Sequence, residues 1–311
     1  MQVSVGIFAH NEADTIGQAI DAFLAQQKMI AEIAEILVVC CACTDATVKI
    51  ASNRAEADNR VRIVERVRRE GKVAAINAFL AAASHEIVIL SGGDVVPGPH
   101  LVELLVRPMR GDALCGMTGA KVVSAAEDPR DLAGILHRLL WQLHHEVARR
   151  APKLGETIAV RRSLLPMCLP PGVYCDEVLI ESLIVKRGGQ LVYVAEARVC
   201  NLPPKNARHL YNQRRRVACQ HAASRCSLNY RPSTSRPRNV MVALGAVGRR
   251  DRRVWKWLAV LAALETTARL HGHLDFLRGR RYRTWRSVDR CEVSSTQLQT
   301  CDVTLTPGRV L

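Results

Sequence analysis

Short apolar, β-branched segments alternate with segments of helical periodicity over the first 90 residues, and this alternation constrains the fold more than any other feature. Strands and helices in this order form a mostly parallel sheet with helices on both faces. Ligands bind such sheets at the carboxyl ends of the strands. The predicted strands cover residues 3–8, 35–39, 61–64 and 86–90, and the predicted helices cover 15–26, a segment opened by Thr44 and Asp45, and 72–83.

The pattern changes beyond residue 110, and a segment rich in Pro, Ser and Arg interrupts it at 230–238. We therefore predict an α/β domain over residues 1–229, a linker over 230–238 and a basic helical C-terminal extension over 239–311. The predicted strands in this part cover residues 114–123, 156–160, 190–194 and 197–199, and the predicted helices cover 131–150, 176–186, 206–225 and 254–270.

The formal charge of +15 is confined to the last third of the chain. Residues 1–205 hold 23 basic and 23 acidic side chains, whereas residues 206–311 hold 21 and 6. Such a surface suits a phosphate-rich partner, namely an anionic membrane, a nucleic acid or a diphosphate substrate. The alternative is an Arg-rich surface that is simply solvated. Nucleic acid is not expected, because the aromatic residues are too dispersed to form a stacking platform.

The 11 cysteines indicate a reducing compartment, because their number is odd and they form no paired metal-ligand clusters. Cys40 and Cys43 form a Cys-x-x-Cys pair, for which packing is favoured over redox chemistry. The N-terminus carries no basic-then-apolar leader. The longest apolar stretch, residues 258–264, is far shorter than the roughly 20 residues that span a bilayer. We expect a cytoplasmic protein, either soluble or peripheral on the inner face of the membrane.

Polar residues follow the first and fourth predicted strands. His10, Asn11 and Glu12 follow the first, and Gly92-Gly93-Asp94 follows the fourth. The glycine patterns of dinucleotide folds and P-loops are missing from the sequence. An acidic residue after a buried strand, beside glycines that let a ligand approach the backbone, suits a divalent cation that bridges phosphate oxygens. The alternative for Asp94 is a turn residue that caps the next helix.

These motifs belong to an ordered set that resembles glycosyltransferase family 2, the inverting nucleotide-sugar transferases with a GT-A fold. The resemblance runs from residue 2 to about residue 220. It implies a Rossmann-like architecture with a mostly parallel mixed sheet. The matching segments are residues 3–12, 36–39 with 43–47, 70–77, 88–94 and 155–163, Asp176-Glu177 with Gly188, and 213–217.

The resemblance also implies roles for individual residues. It places a divalent ion, Mg²⁺ or Mn²⁺, on Asp94 against the diphosphate of the donor, where the ion would offset charge on the leaving group. It assigns the base that takes the proton of the acceptor hydroxyl to the pair Asp176 and Glu177, whose order is exchanged here so that either could be the base. The implied donor-binding residues are His10, Asn11, Glu12, Cys41, Asp45, Lys72, Asn77, Gly93, Gln213 and Arg216.

The sequence departs from the family pattern in three places. Cys40, Cys41 and Gly92 stand where the family usually has acids. Val217 replaces the Trp of the family's Gln-x-x-Arg-Trp element, which argues against processive synthesis of a long polysaccharide; Arg216 in that element can fork onto phosphate oxygens. The function implied is transfer of a hexose from a nucleoside diphosphate sugar to a hydroxyl acceptor with inversion. The alternative is a catalytically degenerate protein on the same fold that binds a nucleotide sugar or a glycan.

Two helices carry amphipathic patterns with more than one interpretation. In residues 131–150 we expect Trp141 to pack inward and the three histidines to face solvent. The stripe on residues 254–270 could lie on an anionic membrane and bring the domain to a lipid-linked acceptor, or it could pack on the protein's own core or on a second subunit. The histidines are His137, His144 and His145, and the stripe consists of Val254, Trp257, Leu258, Leu261 and Leu264.

Overall fold

Helices cover both faces of a single extended sheet in this protein. The structure, a computed structural model, describes residues 1–27, 30–126, 128, 130–173, 175–280 and 282. The strands in that part of the chain are β1 (Gln2–Ala9), β2 (Glu32–Cys41), β3 (Val61–Arg66), β4 (Ile87–Gly92), β5 (Val95–Pro97), β6 (Cys115–Ser124), β7 (Thr157–Arg161) and β8 (Gln190–Asn201). The helices there are α1 (Ile16–Leu24), α2 (Thr47–Ala57), α3 (Lys72–Ala82), α4 (Leu101–Gly111), α5 (Leu132–Ala148), α6 (Asp176–Lys186), α7 (Ala207–Leu228), α8 (Pro237–Arg250) and α9 (Trp255–Leu277).

The strand order is β3-β2-β1-β4-β7-β6-β8-β5. β1 pairs in parallel with β2 and with β4, whereas β7 is antiparallel to both of its neighbours. This arrangement confirms the predicted α/β fold with a mostly parallel mixed sheet. The order of the strands reverses between β1 and β4, and the crevice beyond their carboxyl ends is where open sheets of this type bind ligands.

The central strands are apolar along almost their whole length because both faces of the sheet are covered. In β1, every residue from Val3 to Ala9 is buried. Ile7 contributes to the core cluster on one face, and Phe8 contributes to the cluster on the other face. Continuous apolar runs of this kind are typical of parallel strands between two helical layers, which is why the sequence pattern located these strands correctly.

Several elements differ from the sequence prediction. The two strands predicted at 190–194 and 197–199 form one strand, β8, whose pairing with β6 contains a register shift that obscures the period of two. Helix α8 begins at Pro237, inside the segment predicted as a linker, because Pro suits the first turn of a helix as well as a loop. α4 and the short β5 were not predicted.

The apolar stripe of α9 packs on the protein's own core. Val254, Leu258 and Leu261 are buried against Ile135, Leu136 and Leu139 of α5 and Leu210 of α7. This packing decides against the membrane interpretation of that stripe. In the part of the chain that the structure describes, no helix combines the length and the apolar character needed to cross a bilayer. The division into 1–229, 230–238 and 239–311 stays a prediction.

Candidate active site

Side-chain hydrogen bonds join the loops after β1 and β2. These loops lie at the edge of the sheet where the nucleotide-sugar donor is predicted to bind. The Nδ1–H group of His10 donates to the carbonyl of Cys41 over 2.6 Å. Asn11, in the left-handed region at φ 55°, accepts at Oδ1 from the backbone N–H of Thr44 at 2.8 Å. The backbone N–H of Glu12 donates to Thr47 Oγ1 at 2.8 Å. The structure therefore brings these predicted donor-binding residues together at the carboxyl ends of two neighbouring strands.

Asp45 stabilises the same loops. Its carboxylate accepts from the backbone N–H of Thr47 at 3.0 Å and from that of Ala13 at 3.1 Å. Burial favours the neutral acid, but the hydrogen bonds from Thr47 and Ala13 outweigh it and lower the pKa of Asp45. Asp45 thus caps the start of α2 and ties it to the loop after β1.

Gly93 and Gly92 position Asp94 beside the end of β1. The backbone N–H of Gly93 donates to the carbonyl of Phe8 at 2.8 Å, and a Cβ on Gly93 would lie only 3.1 Å from that of Ala9. A Cβ on Gly92 would collide with Oδ1 of Asp94. The Asp94 carboxylate thus occupies the space over residue 92 where the family usually has an acidic side chain, and only glycine at 92 permits this.

Lys72 connects the start of α3 to the acidic pair at the start of α6. Its Nζ lies 3.0 Å from Oδ2 of Asp176 and 3.8 Å from Oε1 of Glu177. Burial opposes the charge on Lys72, but the two carboxylates outweigh it and raise the pKa of the ammonium. Lys72, which the resemblance placed near the base or the diphosphate, therefore reaches the predicted catalytic acids.

The two acids of the pair differ in exposure and in ionisation. The side chain of Glu177 is 18% exposed, whereas that of Asp176 is 4% exposed. Burial and the charge of Glu177 raise the pKa of Asp176. For Glu177, burial is outweighed by the charges of Lys72 and Lys153, which lower its pKa from the ordinary value of a Glu carboxyl. Glu177 is thus the more accessible carboxylate and the one whose charged form its surroundings stabilise more.

A buried carboxylate fixes the segment that precedes β7. Glu181 accepts at Oε1 from the backbone N–H of Leu154 at 2.8 Å and lies 3.2 Å from the ammonium of Lys153. β7 runs antiparallel to β4, and Ser91 pairs with Thr157. Residues 153–156 consequently reach the carboxyl end of β4, beside the site.

Glu177 lines a cavity of about 620 Å³. Gln213 and Val217 of α7 also line it, together with Arg214, whose guanidinium is paired with Glu265 of α9. Arg216, which its spacing puts on the face of Gln213 and Val217, is buried within α7 and does not line the cavity. Its contact with the leaving group stays a prediction.

Asn77 serves a structural contact. Its amide donates to the carbonyl of Leu169 at 3.0 Å and accepts from the N–H of Leu169 at 2.7 Å. This pair of hydrogen bonds fixes the segment before α6 against α3. In the sequence, α3 lies beyond the loops that follow β1 and β2.

The expectation that the histidines of α5 face solvent is wrong for all three. His145 is half-buried, and its Nδ1 forms a hydrogen bond of 2.8 Å with the hydroxyl of Tyr193. His137 is buried, accepts at Nε2 from the indole N–H of Trp141 at 2.9 Å and contacts Ser124. His144 lines the cavity together with His221 of α7. The α7 spacing Gln213, Val217, His221 repeats every four residues and could have identified His221 from the sequence.

The Cys40 and Cys43 thiols form a hydrogen bond, in which Cys40 is the donor. This bond raises the pKa of Cys40 and lowers that of Cys43. Cys40 is buried, and Cys43 is half-buried and donates from Sγ to the carbonyl of Ala9 at 3.8 Å. Packing of the pair beside the donor loops agrees with the sequence interpretation.

The sequence matches a known protein family. The family model described as Glycosyl transferase family 2 matches residues 4–159, which is just over half of the chain. The chain belongs to glycosyl transferase family 2. The match includes the loops after β1 and β2, Lys72 and Asp94, and it ends just after the start of β7. No curated protein matches the chain.

Solved structures share the fold of this family 2 glycosyltransferase. A mannosyltransferase from Pyrobaculum calidifontis in complex with GDP-Man and Mn²⁺ is 20% identical with a TM-score of 0.60, covering 90% of this chain and 88% of its own. Glucosyl-3-phosphoglycerate synthase from Mycobacterium tuberculosis in complex with Mn²⁺, UDP and phosphoglyceric acid is 22% identical with a TM-score of 0.51, covering 73% of this chain and 79% of its own. At these identities the similarity concerns the fold.

The metal-ligating side chains of this glycosyltransferase fit a divalent ion that is held mainly by the phosphates of its substrate. Within the described ranges, no group of three or more His, Cys, Asp or Glu side chains could enclose a metal. Mg²⁺ is typically bound through one or two carboxylates together with substrate phosphates and water. The Asp94 carboxylate, placed over Gly92 at the carboxyl end of β4, fits this mode.

Proposed function

We propose that this glycosyltransferase moves a hexose from a nucleoside diphosphate sugar to a hydroxyl acceptor with inversion at the anomeric carbon. The observation that carries the proposal is the position of Glu177, the carboxylate of the acidic pair that lines the cavity. Its charge is stabilised by Lys72 and Lys153. A carboxylate that is ionised and accessible is suited to accept a proton from an attacking hydroxyl.

Each step of the transfer can be assigned to residues of this chain. The Glu177 carboxylate takes the proton of the acceptor hydroxyl while the acceptor oxygen bonds to the anomeric carbon from the side opposite the diphosphate. The bond between that carbon and the diphosphate oxygen breaks, and the diphosphate leaves with the electron pair. Asp94 would hold Mg²⁺ or Mn²⁺, which when bound offsets the charge on the diphosphate. The loops that contain His10, Asn11 and Glu12 would hold the nucleoside.

Asp176 acts through its neighbours in this proposal. Its buried carboxylate holds the Lys72 ammonium at 3.0 Å, and Lys72 in turn stabilises the charge of Glu177. Asp176 is therefore a positioning residue, and Glu177 is the base. This assignment resolves the exchanged order of the two acids in favour of the second.

A cytoplasmic location, peripheral on the inner face of an anionic membrane, is proposed as well, with a lipid-linked acceptor. The described residues offer support in the exposed side chains Trp255, Leu270, Leu274 and Leu277 of α9. Basic residues flank them, among them Arg252, Arg253 and Arg278. Apolar side chains beside arginines favour binding at the headgroup region of anionic lipid.

The function is tested by a panel of nucleoside diphosphate sugars. Thermal stabilisation by one of them, dependent on Mg²⁺ or Mn²⁺, is expected, and NMR of the transfer product should show the inverted anomeric configuration. Donor binding without transfer to any hydroxyl acceptor would favour the degenerate binding protein. No metal-dependent stabilisation by any donor would contradict the proposal.

A further inference from the structure

The cavity beside Glu177 is lined by both polar and apolar side chains. The polar ones include His144, Glu177, Gln213 and His221 of α5, α6 and α7, and α9 adds Glu265, Arg269 and His273. The apolar ones come from α5, α8 and α9 and include Leu140, Leu143, Leu244, Leu258 and Leu261. Its volume of about 620 Å³ is in the range of sites that enclose a small organic molecule.

Two cations that line the cavity, Lys153 and Arg214, already have carboxylate partners. Lys153 lies 3.2 Å from Oε1 of Glu181, a fully buried side chain. Arg214 is paired with Glu265, which also lies 3.2 Å from Nε of Arg269. An acceptor whose phosphate lay next to its hydroxyl would have to compete with these carboxylates for the cations, at a cost in desolvation.

Two of the histidines that line the cavity, His144 and His221, are neutral. Burial, together with the charges of Lys153 and Arg214, lowers the pKa of His144 to about 3 and that of His221 to about 3. A neutral imidazole both donates and accepts a hydrogen bond, so it can bind a hydroxyl group. Arg225 also lines the cavity, one helical turn beyond His221, but it is exposed.

We propose that this cavity binds the acceptor, and that the acceptor is an amphiphile with an uncharged hydroxyl-bearing head next to Glu177 and an apolar body against α5, α8 and α9. The inference rests on the proposed function and specifies its second substrate. The C-terminal helices supply much of the apolar wall, so this part of the chain determines acceptor specificity.

Calorimetric titration with three related probes tests the chemistry of the acceptor. We expect 1-O-octylglycerol, below its critical micelle concentration, to bind at least about tenfold more tightly than glycerol, because its chain is buried in the cavity. The 3-phosphate of 1-O-octylglycerol should bind more weakly than 1-O-octylglycerol itself. Tighter binding of the phosphate, equal binding of glycerol, or no saturable binding of 1-O-octylglycerol would overturn the proposal.

Variants of two neighbouring residues on α9 locate the binding. Ala262 and Ala263 are both exposed, but only Ala262 lines the cavity. Ala262→Trp should fill the space and weaken 1-O-octylglycerol about tenfold, with Ala262→Leu changing it in the same direction, and Ala263→Trp should leave it unchanged. Equal affinities of wild type and both Ala262 variants would place the probe elsewhere and refute the proposal.

Binding of nucleoside diphosphate with Mn²⁺ is measured on the same samples. Metal-dependent nucleotide binding without binding of 1-O-octylglycerol would refute the acceptor inference and leave the proposed function standing. Binding of 1-O-octylglycerol without any nucleotide binding would instead refute the proposed transferase function.

Discussion

The ammonium of Lys72 lies 3.0 Å from the carboxylate of Asp176, although the two residues are 104 positions apart in the chain. This ion pair joins the first turn of α3, on the donor side, to the first turn of α6, on the cavity side. It separates the roles of the two adjacent acids, because Asp176 is occupied by Lys72 and Glu177 is left to face the cavity.

Substitutions in the acidic pair should therefore differ in effect. Glu177→Gln is expected to lower kcat by about 10²- to 10⁴-fold with donor affinity unchanged, because the base is lost. Asp176→Asn should reduce kcat less. Steady-state kinetics together with calorimetric donor binding measure both, and equal losses in the two variants would contradict the assignment of Glu177 as base.

The pH profile of Asp176→Asn gives a second readout of its positioning role. In the wild type the charges of Lys72 and Lys153 hold the pKa of Glu177 below that of an ordinary Glu, so the acid limb of kcat/KM should lie at correspondingly low pH. In Asp176→Asn the Lys72 ammonium loses its charged partner and should stabilise ionised Glu177 less, so the limb should shift to higher pH. An unshifted limb or a shift to lower pH would show that Asp176 does not act on Glu177 through Lys72.

Gly92→Ala tests the placement of Asp94 without altering a carboxylate. The new Cβ would displace the Asp94 side chain, so metal-dependent stabilisation by the donor should weaken. Gly111→Ala is the matched control, because a Cβ there meets no atom within 4 Å. Asp94→Asn should weaken the same stabilisation. Full metal dependence of donor stabilisation in both Gly92→Ala and Asp94→Asn would show that the ion does not bind at this position.

Stability should fall in mild acid because of His144 and His221, two of the histidines that line the cavity. Below 6.5, their unshifted pKa, the unfolded chain binds protons at His144 and His221 that the folded chain excludes down to about pH 3. The folded state therefore loses stability as the pH falls through this window. Urea unfolding at pH 7 and pH 5 should show a smaller pH effect in His144→Gln with His221→Gln than in the exposed-surface control His100→Gln. An unchanged pH effect would refute the buried neutral state.

Cys43 should alkylate at lower pH than an ordinary thiol. The hydrogen bond from Cys40 lowers its pKa, and the ordinary value is about 8.5. Iodoacetamide labelling followed by peptide mass spectrometry between about pH 5 and pH 9 should show the midpoint of Cys43 below that value, and Cys40→Ala should move it upward. Labelling of Cys43 with an unchanged midpoint in Cys40→Ala would rule out the thiol hydrogen bond.

The contact between α7 and α9 should contribute strongly to stability. Arg215 forms two hydrogen bonds of 2.7 Å to Asp275, whose side chain is fully buried. Breaking a fully buried pair costs about 3–5 kcal/mol, and the cost of Asp275→Asn should be smaller because Arg215 is 29% exposed. Chemical denaturation, with Glu196→Gln on the surface of β8 as control, measures the difference. Unaltered stability of Asp275→Asn would show that the ion pair of Arg215 and Asp275 does not help to hold α9 on α7.

Much of the fold follows from local patterns in the sequence. β1 and β4 appear as apolar runs because both of their faces are covered, and the polar residues that follow them mark the carboxyl edge of the sheet. The positions of His10, Asn11 and Asp94 at that edge were thus predictable. β8 was divided in error because its register shift interrupts the period of two.

The sequence by itself determined the order of strands and helices, the edge of the sheet that carries the site, and the candidate acids. Only the tertiary structure decided that Glu177 rather than Asp176 faces the cavity, that Arg216 is buried while Arg214 pairs with Glu265, and that the stripe of α9 closes the core. The physical reason is that periodicity reports which face of an element is covered. Which element covers that face depends on contacts between residues 50 or more positions apart in the chain, such as Arg214 and Glu265. A single sequence carries no local signal of such contacts.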